Sequence, residues 1–177
     1  MPKYVAFLRA INVGGHTVKM DHLRGLFEAI AFSNVETFIA SGNVIFDAKT
    51  TNTQAIEQKI EKHLEETLGY EVATFVRATS ELAGVADYRP FAESELKEGT
   101  LFIGFLADQP SKQAIQKLLA FATDVDNFKV KGREIFWLCR TKFSDSKFSG
   151  ALLEKTLGMR TTMRNSNTVK KLAAKYS

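Results

Sequence analysis

Apolar residues crowd both faces of the first strand-like stretch, where Tyr4, Val5, Phe7 and Leu8 leave no side to turn to water. Two-sided hydrophobicity of this kind reads as a central strand over Tyr4–Ala10. Past the Gly14-Gly15 turn the spacing becomes helical, with Met20, Leu23, Leu26, Phe27 and Ile30 recurring and Asp21 in the first turn. Val35–Ser41 and Asn43–Asp47 read as two more strands joined by a tight turn at Ser41-Gly42-Asn43, because Gly and Asn tolerate positive φ. The longest helix is expected over Thr53–Leu68, carried by Ile56, Ile60, Leu64 and Leu68. Asn52 or Thr53 caps it and Gly69 stops it. A strand over Val72–Arg77 follows, then a short helix opened by Thr79-Ser80.

The second half repeats the order. Leu101–Leu106 reads as a strand, Pro110-Ser111 opens a helix carrying Ile115, Leu118 and Leu119, and Phe128–Lys131 with Ile135–Cys139 forms a hairpin around Gly132. Ala151–Leu157 is helical up to Gly158, Arg160–Arg164 is the last strand, and Asn165-Ser166 caps a final helix. The β-α-β-β-α-β order occurring twice predicts an α+β fold of two packed ferredoxin-like (alpha-beta plait) halves with added helices, an internal duplication. The halves fall at 1–88 and 100–177, with 89–99 as the connector. A lone sheet of this type covers one face with its helices. The two-sided strands therefore require a second cover, the other half, an added helix or another subunit, of which the other half is the favoured one.

Length and composition agree with this picture. At 177 residues, 45% hydrophobic and 25% charged, the chain can build a substantial core and is not disordered. The N-terminus lacks the basic start, apolar run and cleavage site of a signal peptide, and no stretch is long and apolar enough to span a membrane, so a cytoplasmic protein is expected. The single Cys139 lies in an apolar strand and reads as a buried thiol. Charge is unevenly spread. Residues 128–177 carry twelve Lys and Arg against Glu134, Asp145 and Glu154, a net of +9, which leaves −5 for the first 127. A basic region favours anionic ligands or nucleic acid, although a solvated lysine-rich surface gives the same count.

Candidate chemistry gathers in a few polar stretches. The loop Asn12-Val13-Gly14-Gly15-His16-Thr17 lies between a buried strand and a helix, where Arg9, Lys19 and backbone N–H groups could hold an anion. It has neither Walker A nor G-x-G-x-x-G spacing, and a plain glycine turn explains it as well. Arg9 follows an apolar strand and pairs either with a ligand or with a core carboxylate such as Asp47 or Glu36. Arg77 and Arg164 hold matching places at strand ends, each just before a helix start, where the helix dipole disfavours a cation. Asn165, Ser166, Asn167 and Thr168 surround Arg164 with hydrogen-bonding groups, part of which is ordinary N-capping. The candidate ligand-binding set is thus Arg9, Asn12, Gly14, Gly15, Lys19, Ser41, Gly42, Asn43, Arg77, Arg164, Asn165, Asn167 and Thr168. His16, His22 and His63 are dispersed, His63 reads as solvated, and Glu57-Glu61 reads as part of a charged helical face. No metal site and no cofactor are expected. Lys131–Leu138 sits where an RNA-recognition motif keeps its aromatic octamer, but Arg133 and Ile135 replace the stacking rings.

Several of these stretches together resemble the bacterial domain of unknown function 1697 family. They are Leu8-Arg9-Ala10-Ile11-Asn12-Val13-Gly14-Gly15, Lys19-Met20, Ser41-Gly42-Asn43-Val44-Ile45-Phe46, Val76-Arg77-Ala78-Thr79-Ser80-Glu81-Leu82 and Arg164-Asn165-Ser166-Asn167-Thr168-Val169. In the family pattern a glycine often stands at the place of Ala10 and an aromatic at that of Ser166. The resemblance implies paired alpha-beta plaits and brings no established activity or catalytic residue. The leading functional expectation is binding of an anionic ligand, either nucleic acid or a phosphorylated small molecule. The alternatives are an enzyme acting on a small phosphorylated or carboxylated substrate and a protein-interaction module. The sequence leaves the oligomeric state open.

Overall fold

The computed structural model describes residues 1–11, 17–39, 42–142, 146 and 148–176. Its elements run β1 (Lys3–Leu8), α1 (Met20–Glu28), β2 (Ser33–Thr37), β3 (Asn43–Asp47), α2 (Thr53–Leu68), β4 (Thr74–Ala78), α3 (Thr79–Asp87), α4 (Glu93–Leu96), β5 (Thr100–Phe105), α5 (Lys112–Leu119), β6 (Asp126–Lys131), β7 (Glu134–Cys139), α6 (Gly150–Leu157), β8 (Thr162–Asn165) and α7 (Ser166–Tyr176). The strands form two four-stranded sheets, ordered β2-β3-β1-β4 and β6-β7-β5-β8. Every pairing is antiparallel. This is the βαββαβ order twice over, so the α+β architecture of two similar halves stands. By contacts the chain divides into Met1–Leu82 with Tyr176, and Ala83–Lys175.

In the first unit α1 and α2 cover one face of the sheet. Leu23, Leu26 and Phe27 from α1 and Ile56, Ile60 and Leu64 from α2 meet Tyr4, Ala6, Leu8, Val44, Phe46 and Val76. Alternation along the strands sends Val5, Phe7, Ile45, Phe75 and Arg77 to the other face. That face is also buried, none of these five being more than 2% exposed. The helix ends follow local chemistry. Asn52 Oδ1 accepts the Ala55 N–H at 3.1 Å, and Gly69 closes α2 in the left-handed conformation.

The second unit uses the same logic. Ala114 and Leu118 of α5 and Leu153 and Leu157 of α6 pack with Phe128, Ile135, Trp137 and Cys139. Ile103, Phe105, Phe136 and Leu138 occupy the opposite face and are buried. The β6–β7 hairpin turns at Gly132-Arg133 with Gly132 at φ 59°, as a two-residue turn with glycine first requires. The Tyr88 ring stands edge-on to Phe136 at 4.9 Å, and Lys131 Nζ lies 4.2 Å from the Tyr88 centroid.

One expectation needs correction. The strand expected over Val35–Ser41 runs instead over Ser33–Thr37, because Asn34 sits at φ 50° in a register shift that starts the pairing early. It ends early because the Asn43 amide holds the Phe38 and Ile39 carbonyls at 3.1 and 3.3 Å, taking them out of the ladder. The 89–99 connector contains α4, whose entry is fixed by Glu95 Oε2 accepting the Ala92 N–H at 3.1 Å.

Candidate functional site

The C-terminal end of β1 is where the polar residues of the first unit converge. Leu8 donates its N–H to Gly42 O at 2.8 Å, and Arg9 donates its own to Ala73 O at 2.9 Å, so β1 stays clamped between neighbouring segments to its last residue. Gly42 lies so close that a Cβ there would stand 2.9 Å from Leu8 Cβ, and its φ of +86° is itself a glycine conformation. Asn43 is 3% exposed and spends its amide on the Phe38 and Ile39 carbonyls. Its role is to shape the β2–β3 connection. The N-terminus of α1 reaches this same end, since Thr37 Oγ1 donates to Met20 Sδ at 3.3 Å and Thr37 pairs with Val44.

Arg9 is partly buried here and Lys19 is exposed. Lys19 occupies the N-cap of α1 without a capping bond from its side chain. Asp21 in the first turn forms an ion pair with Arg24. Between Arg9 and the loop, Ala10 adopts φ 54°, a left-handed conformation that costs a residue with a Cβ about 1–2 kcal/mol. Ile11 is buried, and its carbonyl accepts the Tyr70 hydroxyl at 2.9 Å. Asn12, Gly14 and Gly15 lie outside the described residues, as does Ser41.

Each carboxylate suggested for Arg9 has another partner. Asp47 stands opposite Lys3, bonding Lys3 Nζ at 3.0 Å and Asn34 Nδ2 at 2.7 Å. Lys3 is six residues of extended chain, roughly 20 Å, from Arg9. Glu36 accepts the Tyr176 hydroxyl at 2.8 Å. Hydrogen bonding and the Lys3 charge hold the Asp47 carboxyl below the usual range, against the opposing effect of burial.

Arg77 and Arg164 do hold equivalent places, opposite Val5 in β1 and Ile103 in β5. Both reach back along their own strands. Arg77, fully buried, donates from Nη1 to Val76 O at 2.9 Å. Arg164 donates from Nη1 to Met163 O at 3.0 Å and to Thr162 Oγ1 at 2.8 Å, reaching back along its own strand. Burial pushes the Arg164 guanidinium down to about 10. Asn165 Oδ1 accepts the Asn167 N–H at 2.9 Å, Asn167 is exposed and Thr168 is partly buried. Among the other basic residues, Arg140 is committed to Glu98 Oε2 at 2.7 Å, and Lys131 to the Tyr88 ring.

Two acidic residues went unrecognised in the sequence. Glu57, assigned to a charged face, is 4% exposed, and its Oε2 accepts the Val76 N–H at 2.8 Å. The signal was its place beside Ile56 and one turn before Ile60, on the apolar stripe. Asp126, also 4% exposed, accepts the Trp137 indole N–H at 2.8 Å and the Ser146 hydroxyl at 2.8 Å. His63 is half-buried and not solvated, with Nε2 enclosed and lacking a hydrogen-bond partner among the described residues. Cys139 is 1% exposed, a buried strand thiol. Among the described residues no group of three or more His, Cys, Asp or Glu is placed to hold a metal, and no helix is long and apolar enough to cross a membrane.

The architecture has a counterpart among solved structures. The conserved bacterial protein SP0830 from Streptococcus pneumoniae is 20% identical and superposes with a TM-score of 0.78, covering 99% of this chain and 98% of that one. At that identity the likeness speaks for the fold alone. None of the curated proteins matches the chain. The family described as "Protein of unknown function (DUF1697)" matches residues 1–136, which includes the β1 end with Arg9, Lys19 and Asn43 and stops short of 164–169. The chain belongs to the DUF1697 family of proteins of unknown function.

Proposed function

We propose that the chain binds a small anionic ligand, a phosphorylated or carboxylated molecule, at the end of the first sheet where β1 stops. The observation that carries this reading is that Arg9 and the start of α1, whose first N–H groups receive no cap from the Lys19 side chain, lie at the same end of the first sheet. A helix start of this kind beside two cations attracts negative charge. The left-handed Ala10 next to Arg9 adds support, because strained backbone concentrates where a ligand must be met. A small ligand is favoured over nucleic acid, since Arg164 and Arg140 of the basic segment are engaged within the fold.

The test is a thermal-shift titration with inorganic phosphate against chloride at matched ionic strength. Phosphate should raise the melting temperature of the wild type, and the increment should fall in Arg9→Gln and Lys19→Gln while persisting in Arg164→Gln. An increment equal in the wild type, Arg9→Gln and Lys19→Gln would remove the reading.

A further inference from the structure

A cleft lies wholly within the second unit and uses none of the residues of the anion site proposed above. Its volume is about 640 Å³, and its lining residues include Phe121, Val125, Asp126, Ser146, Phe148 and Leu152. That volume suits a small organic molecule. Its chemistry runs against the surroundings. The segment from 128 onward carries +9, yet the described lining residues include two carboxylates, Asp124 and Asp126, and no Lys, Arg or His.

Asp126 is the polar anchor. It opens β6 at 4% exposure, and its carboxylate is oriented from two sides, by the Trp137 indole N–H on Oδ1 and the Ser146 hydroxyl on Oδ2. Ser146 is itself fixed by the Phe148 N–H at 3.0 Å. A carboxylate offers about four acceptor directions, more than these two contacts and the neighbouring Cys139 thiol occupy. No cation pairs with Asp126 among the described residues. The nearby Arg140 guanidinium turns to Glu98 and Asn127 and reaches Asp124 only through its backbone carbonyl, at 3.5 Å. The Cys139 thiol, opposite Asp126 in the ladder, is raised first by burial and then by this carboxylate.

The walls are aromatic and apolar. Phe148, 4% exposed, lies 4.5 Å from Phe128 and 5.4 Å from Trp137, which fixes its ring. Phe121 faces it at 5.8 Å across the rim and is 40% exposed, with Val125 37% exposed beside it. An aromatic, apolar cleft with a buried and oriented carboxylate is complementary to a cation carrying a hydrocarbon body.

We propose that this cleft binds a small organic ammonium, its charged nitrogen on Asp126 and its apolar body laid against Phe121 and Phe148. The nitrogen donates to the free acceptor directions of the carboxylate, while the body takes exposed Phe121 and Val125 out of water.

Trp137 is the sole tryptophan and donates directly to Asp126, so its indole N–H resonance reports on the anchor. The experiment titrates isotope-labelled full chain with phenethylammonium, phenethyl alcohol and phenylpropionate, following that resonance. Phenethylammonium should shift it saturably with an affinity of about millimolar or tighter, and the alcohol and the acid should bind at least about tenfold more weakly. Asp126→Asn keeps an acceptor for Trp137 and a donor for Ser146 while removing the charge, and should lose about tenfold or more in ammonium affinity. Phe121→Ala, at the exposed rim, should also weaken binding and covers the case in which Asp126→Asn does not fold. Absence of a saturable shift, equal binding of amine and alcohol, or undiminished affinity in either variant would overturn the proposal.

Discussion

Glu57 Oε2 accepts the backbone N–H of Val76 at 2.8 Å, joining the second turn of α2 to β4 through a carboxylate that is 4% exposed. The bond replaces water for a donor that has none within reach. Glu57→Leu fills the space but strands that N–H, and should cost about 1–3 kcal/mol. Glu57→Gln retains an acceptor oxygen and should lose less. Urea denaturation of both variants checks this, and equal losses would assign the effect to packing.

Ala10 at φ 54° should be improved by glycine. Ala10→Gly relieves the left-handed strain at the expense of a more flexible unfolded chain, for a net gain of about 0.5–1 kcal/mol. In a chain of this size that corresponds to roughly 1–4 °C in melting temperature. A calorimetric scan decides it, and a loss of stability would show that the Cβ of Ala10 makes a contact worth more than the strain.

Gly42 should tolerate nothing larger. An alanine Cβ would stand 2.9 Å from Leu8 Cβ, 3.1 Å from Leu8 O and 3.2 Å from Ile11 Cγ2, at a φ that alanine disfavours. Gly42→Ala is expected to cost about 2–4 kcal/mol from strain and overpacking together. The same urea series measures it. Faster hydrogen exchange of the Leu8 N–H, which bonds to Gly42 O, is the local sign.

Tyr176 supplies a pH signature. Burial, then its hydrogen bond to Glu36 and the charge of that carboxylate, push its phenol from 10.0 up to about 12. Between those values the folded state keeps a proton that the unfolded state has lost. The stabilisation is therefore complete below pH 10 and disappears as pH rises through about 12. Melting curves from pH 9 to 12 should fall less steeply for Tyr176→Phe than for the wild type. Parallel curves would show that the phenol titrates alike in both states.

Much of the fold was legible because its boundaries are written in local chemistry. Asn52 and Gly69 bracket α2, and Gly132 marks the β6–β7 turn, each by a conformational preference that needs no tertiary information. Strand β2 was less legible, because its limits depend on Asn34 at a register shift and on a side chain ten residues beyond its start, Asn43. Of the candidate site, the grouping of Arg9, Lys19, Gly42 and Asn43 at one sheet end follows from the strand order. The direction of Arg77 and Arg164 does not. Their nearness to a helix start suggested an outward role, whereas strand alternation puts them on the same face as Phe75 and Thr162. Asp126 offered no sequence signal, since its partners Trp137 and Ser146 lie eleven and twenty residues away.

The Glu57–Val76 bond has a further consequence, because β4 is an outermost strand. An uncovered row of backbone donors is a template on which another chain can lay a strand of its own. Here each margin is blunted differently: a carboxylate plugs β4, and Glu154 does the same at 3.3 Å for Thr161 ahead of four-residue β8. The Asn34 bulge twists β2 out of line, and exposed Lys129 and Lys131 stud β6. Within each unit the outer strands thus offer no straight, neutral ladder of the kind on which amyloid-like self-association is templated.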